Sequence, residues 1–201
     1  MQCEFGDGYA HGVSPTKDGE VLVTGGARES GPDSLWSAFV AKTDLATGFC
    51  QLEWAATHGG GEETYYYSGR SVVETSDGGA LVAGKTVEPG TQKQQGLLWK
   101  LNSDGTLGWQ QAIGGEESER GSLSAAIELF DEQGNPDGYL AAGEVTYLNA
   151  GFDSSAALLR VDGDGTERWT RLYGYSTPPD PLGESARFTD LVRMDDGSFS
   201  V

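Results

Sequence analysis

Asp162 and Asp164 alternate in the run Asp162-Gly163-Asp164-Gly165. That is the spacing with which a calcium loop begins, and Ca²⁺ takes several carboxylate and carbonyl oxygens. The glutamate that should close such a loop is missing at its place, and Asp-Gly is also hairpin-turn chemistry, in which glycine supplies the positive φ. Ca²⁺ is the one cofactor these residues suggest; a plain turn is the alternative. The two cysteines, Cys3 and Cys50, read either as free buried thiols or as one disulfide tying the N-terminal segment to the first repeat. In an oxidising compartment the disulfide is expected, with Cα atoms within about 7 Å. His11 and His58 fit no metal spacing, and no Ser-His-Asp or Cys-His arrangement is visible. The chain therefore reads as non-enzymatic.

These residues sit in a repeated frame. The phrase DGEVLVTG starts at Asp18, DGGALVAG at Asp77, DGYLAAG at Asp137 and DGSFSV at Asp196, so the aspartates are 59, 60 and 59 residues apart. A period near 60 over four copies marks a repeat architecture. Each full copy divides into four strand-like runs. In the second they are SVVET (71–75), ALVAG (80–84), GLLWKL (96–101) and TLGWQQAI (106–113). A basic residue recurs near the end of the third run (Lys42, Lys100, Arg160), and a tryptophan in the fourth (Trp54, Trp109, Trp169). The second run is apolar at nearly every position, as in a strand buried on both faces. The fourth alternates and reads as half exposed. No long run has helical periodicity. The expectation is an all-β, β-propeller-type array of four-stranded antiparallel blades at about 9–63, 64–119 and 120–176, with half of a fourth at 185–201. It forms one repeat domain, residues 1–201, and an incomplete ring. The tryptophans should hold equivalent, packed positions.

Composition agrees. Of 201 residues, 31 are glycine and 37% are hydrophobic, with the apolar residues gathered in short regular runs rather than diluted as in disorder. A net charge of −18 argues against nucleic acid and anionic membrane as partners. It leaves a self-repelling surface, one adapted to saline surroundings, or one that collects divalent cations. No apolar run is long enough to span a membrane. No signal peptide or glycosylation sequon is visible, as expected of a cytosolic, mature or partial chain.

The phrases SVVETSDGGALVAG, GLLWKLNSDGTLGW and the closing Gly-Gly resemble the extracellular β-propeller repeats of bacterial, archaeal and some protist surface proteins, in the quinoprotein-like and Kelch-like propeller group. The resemblance covers about residues 9–201 and implies an extracellular or cell-surface location. It also implies partners that are other protein subunits or further blades of the same chain. TDLATGFCQLEW resembles the tryptophan-docking motif of quinoprotein dehydrogenases through Asp44, Thr47, Gly48 and Trp54, which would make Trp54 a structural dock between blades. SDGTLGW (103–109) resembles a degraded sialidase Asp-box. A sialidase would also need converging arginines; Arg70, Arg120 and Arg187 stand at roughly matching places before the first strands.

In such a frame the loops between second and third strands share a face with the links between blades, and those segments are the variable ones. Binding sites favour such loops. That face carries Glu62, Glu63, Glu116, Glu117 and Glu184, together with Tyr65, Tyr66, Tyr67, Tyr147 and Phe152. Tyrosines there fit a recognition surface; the alternative is that they pack between blades. The expected function is a structural or binding module that makes protein or glycan contacts through this face. The alternative is a carbohydrate-active propeller enzyme, sialidase-like or another glycosidase or lyase.

Overall fold

The computed structural model describes residues 7–28, 36–44, 51–58, 67–87, 93–113, 118–147, 154–174, 186–194 and 198–201. They form an all-β array. Strands β1 (Asp7–Pro15), β2 (Val21–Arg28), β3 (Trp36–Asp44) and β4 (Gln51–His58) make the first antiparallel sheet, in sequence order. β5 (Tyr67–Glu74), β6 (Ala80–Val87), β7 (Gln94–Leu101) and β8 (Leu107–Ile113) make the second. The third holds β9 (Ser118–Phe130), β10 (Pro136–Tyr147), β11 (Ser154–Val161) and β12 (Glu167–Tyr173). A short hairpin of β13 (Val192–Arg193) and β14 (Phe199–Ser200) follows. The described residues do not close a ring.

The apolar second run explains the stacking. Side chains alternate across a strand, so Ala80 and Val82 pack toward the first blade, with Leu22, Val40 and Trp99. Leu81 and Ala83 pack toward the third, with Leu123, Tyr139 and Ala141. All four are buried, and each face of β6 serves a different neighbour. β10 repeats the arrangement, with Ala141 toward the second blade and Leu140 and Ala142 toward Leu191, just before the hairpin. Of the fourth strands, β4 alternates between exposed and half-buried residues and β8 ends buried at Ile113, whereas β12 is wetter than its alternation suggests. β12 is exposed except at a half-buried Trp169.

Five tight turns at the other end share one geometry. Thr75 N–H donates to Gly79 O at 3.0 Å, and Gly78 takes a φ of 78°. The turns at 16–20, 102–106, 131–135 and 162–166 repeat this pattern. In the third blade the turn closes at Asp131–Asn135, so Asp137-Gly138 is not a turn but lies in a bulge of β10. The extra residues displace the phrase without displacing its aspartate.

That aspartate has a fixed partner. Asp18 bonds Lys42 Nζ at 2.7 Å, Asp77 bonds Lys100 Nζ at 2.8 Å, and Asp137 bonds Arg160 Nη2 at 2.9 Å. In each blade the start of the second strand is thereby clamped to the buried base on the third. The tryptophans are equivalent too: Trp54 pairs with Lys42, Trp109 with Lys100 and Trp169 with Arg160. Trp54 covers Gly105 and Trp109 covers Gly165, each a positive-φ turn glycine of the next blade. Trp109 Nε1 also donates to Gly163 O at 3.0 Å. A second joint runs the same way. Glu74 accepts Lys17 N–H at 2.8 Å, and Glu128 accepts Ser76 N–H at 2.7 Å. In the hairpin Arg193 takes the corresponding position and lies over the Phe130 ring, 5.3 Å from its centroid.

The clamps set the acid limit of the fold. Burial raises the Asp77 carboxyl, but bonds from Lys100, Thr75 and Gly79 outweigh it and bring it to about 2, from 3.8. Asp18 is likewise brought to about 2, chiefly by Lys42. A carboxyl held low in the folded state stabilises fully above its unfolded value, and that stability is lost as pH falls through the folded one. His58 is held below 6.5 by burial, only partly countered by its bond to Gln110. It therefore favours the fold above about pH 6.5 and weakens it below. Urea midpoints should decline gently below about pH 6.5 and steeply between about pH 4 and 2. A flat profile down to pH 2 would contradict the clamps.

Candidate functional site

At the end opposite the tight turns, the second and third blades part to leave a polar cleft of about 240 Å³. Arg70 and Gln94 come to it from the second blade; Arg120, Ser122, Glu144, Thr146 and Ser154 come from the third. This is the variable-loop face, because antiparallel pairing puts the end of β10 and the starts of β7, β9 and β11 together there.

Local structure explains the arginines. Arg70 is the extra residue of a β-bulge in β5, between Gly69 and Ser71. His11 occupies the equivalent bulge in β1 and Ser124 that in β9. A bulge re-aims a side chain at a strand otherwise locked in register. The Thr24 side chain of the first blade lies close: a Cβ at Gly69 would fall 1.9 Å from Thr24 Oγ1. Arg120 stands exposed near the start of β9, and Glu144 lies half-buried in β10.

The site is electrostatically uneven. Among the described residues, neither Arg70 nor Arg120 forms an ion pair, whereas Lys42, Lys100, Arg160 and Arg168 all do. The fields of Arg70 and Lys85 add to burial in holding the His11 pKa below 6.5. Thr146 and Ser154 hydroxyls lie 2.6 Å apart. The Ser122 hydroxyl is buried and has no hydrogen-bond partner among the described residues. Unpaired guanidinium groups and an orphaned hydroxyl on one cleft make a receptive surface for an anionic, hydrogen-bonding group.

A second cleft of about 280 Å³ separates the first and second blades and is largely apolar, lined by Val40, Ala56, Trp99 and Leu107 among others. It belongs to the packing between sheets.

The acidic candidates fall differently. Asp18, Glu20 and Glu53 are the one group of three carboxylates close enough to share a cation among the described residues. Lys42 Nζ already stands among them, at 2.7, 2.9 and 2.8 Å. Asp162 accepts a bond from Arg168 Nε, and Asp164 accepts Thr166 N–H at 3.0 Å. That bond to Thr166 is the leading cause of the lowered Asp164 pKa. Asp164 therefore has a protein donor within the turn and Asp162 one on β12.

Of the residues expected on the recognition face, Tyr67 is described. It lies in β5, half-buried, with its ring edge-on to His58 at 5.5 Å, packed between the first and second blades. Tyr147 ends β10. Glu62, Glu63, Tyr65, Tyr66, Glu116, Glu117, Phe152 and Glu184 lie outside the described residues, as do Cys3 and Cys50. Arg70 and Arg120 do share a cleft; Arg187, exposed beside the hairpin, is not part of its lining. Ser122, Glu144, Thr146 and Ser154 carried no motif, and only the pairing of strand ends collects them.

The chain matches no protein-family model, and a search of the curated proteins finds no match. Among the described residues no helix is long and apolar enough to cross a membrane.

Proposed function

We propose that this chain is a non-enzymatic binding module of an extracellular or cell-surface assembly, working beside other subunits or further blades of the same kind. The observation that supports this reading is the polar cleft between the second and third blades. It lies on the face of the variable segments, and its two arginines are unpaired among the described residues. The net charge of −18 disfavours nucleic acid and anionic membrane as the partner. The second reading, a carbohydrate-active enzyme, draws on the same cleft through Glu144. Glycoside hydrolysis ordinarily requires two carboxylates, and among the described residues Glu144 is the one carboxylate on the lining.

The test is capture of native surface proteins and glycans by the immobilised chain. Gln94→Trp, which fills the cleft mouth, should reduce capture at least tenfold. Glu132→Ala, on an exposed turn of the opposite face, should leave it unchanged. Release of shortened glycans, with a rate abolished by Glu144→Gln, would replace the binding module with the enzyme.

A further inference from the structure

We propose that the cleft between the second and third blades binds the carboxylate of an acidic sugar, with the sugar's hydroxyls read by the remaining polar groups. The inference rests on the reading of this face as a binding surface and names the ligand class it takes.

Four observations favour this occupant. Arg70 and Arg120 offer two guanidinium groups without an ionic partner among the described residues, and guanidinium pairs planar carboxylates through parallel hydrogen bonds. The volume of about 240 Å³ is below the ~300–1,000 Å³ of pockets for drug-sized ligands, and suits a single ring. Among the described residues no aromatic or large aliphatic side chain lines it, which disfavours an apolar ligand. The other lining groups suit hydroxyls: the Ser122 hydroxyl is buried without a partner among the described residues, and Glu144 can only accept bonds when ionised. Glu144 also repels a second negative charge, so the ligand should carry one anionic group beside several neutral donors. That combination describes a uronic-acid-type ring better than an acidic peptide, whose carboxylates come without hydroxyls.

The experiment titrates the full chain with D-glucuronate, D-glucose, acetate and an acetylated Asp-Glu peptide, followed by amide chemical shifts and calorimetry. Glucuronate should bind with an affinity that falls as salt rises, at least tenfold tighter than glucose or acetate. Arg70→Gln and Arg120→Gln should each weaken it tenfold or more. Ser122→Ala should weaken it several-fold and leave the thermal midpoint unchanged, separating recognition from folding. Equal binding of glucose and glucuronate would overturn the proposal. So would equal or tighter binding of the peptide, or indifference to both arginine substitutions. If surface material is captured in a Gln94-dependent way while glucuronate does not bind, this inference alone falls. If capture is absent or independent of Gln94, the binding-module reading falls with it.

Discussion

Asp77→Ala is expected to destabilise the protein by about 3 kcal/mol, and Lys100→Met by about half as much. Both remove the same ion pair, so the difference lies in what is left behind. The Lys100 side chain is 5% exposed and that of Asp77 is 60% exposed. Deleting the aspartate strands a buried ammonium that keeps, among the described residues, the Leu101 carbonyl alone, at 2.8 Å. Deleting the ammonium leaves a carboxylate that water can reach, still held by Thr75 and Gly79. The aspartate's exposure keeps the estimate at the low end for a broken buried pair. Urea unfolding of the two variants measures it, and equal or reversed costs would sink the argument.

The second large effect is expected at the joint between the second and third blades. Trp109→Ala removes an aromatic side chain packed against the core cluster, over Gly165, and should cost about 3 kcal/mol. Gly165→Ala approaches the joint from the other side. Its Cβ would lie 2.6 Å from Trp109 Cδ2, on a backbone with φ of 86°. That single change should cost about 2–3 kcal/mol, of which the left-handed backbone accounts for about 1–2. Removing the indole removes the three atoms nearest to the new methyl. The double variant should therefore be only about 1–2 kcal/mol less stable than Trp109→Ala alone. Strict additivity would show that the two residues do not share a joint.

Much of this frame was legible because it is written in residue types that have few substitutes. Turn glycines, an apolar second strand and a tryptophan in the fourth strand of each full copy placed the sheets and their stacking. The aspartate and the base were each visible as a recurrence about 60 residues long, yet their pairing was not. They lie 23 or 24 residues apart in sequence, and only antiparallel pairing of the second and third strands brings them together. The glutamate joint was hidden by an insertion. Glu74 precedes its repeat aspartate by three residues and Glu128 by nine, because the 131–135 turn intervenes. The cleft was legible only as a face. The repeat places Arg70 and Arg120 at matching points ahead of the apolar first runs, and both prove to lie within β5 and β9. Arg70 owes its direction to a bulge, and bulges leave no mark in hydrophobic pattern.

The joints between blades have a direction. Trp54 and Trp109 reach forward to the next turn, and Glu74 and Glu128 reach back to the previous one. One side of a blade therefore supplies indole and backbone N–H, and the other supplies a bare glycine and a carboxylate. Surfaces of that kind are complementary but unlike, so they obey the geometry of head-to-tail association rather than that of a two-fold pair. Units joined this way advance by one fixed screw operation at every step. A pure rotation that divides the full circle gives a closed wheel; any residual translation gives a climbing helix. The joint's chemistry sets how firmly the units hold, while its angle alone sets whether the array has an end.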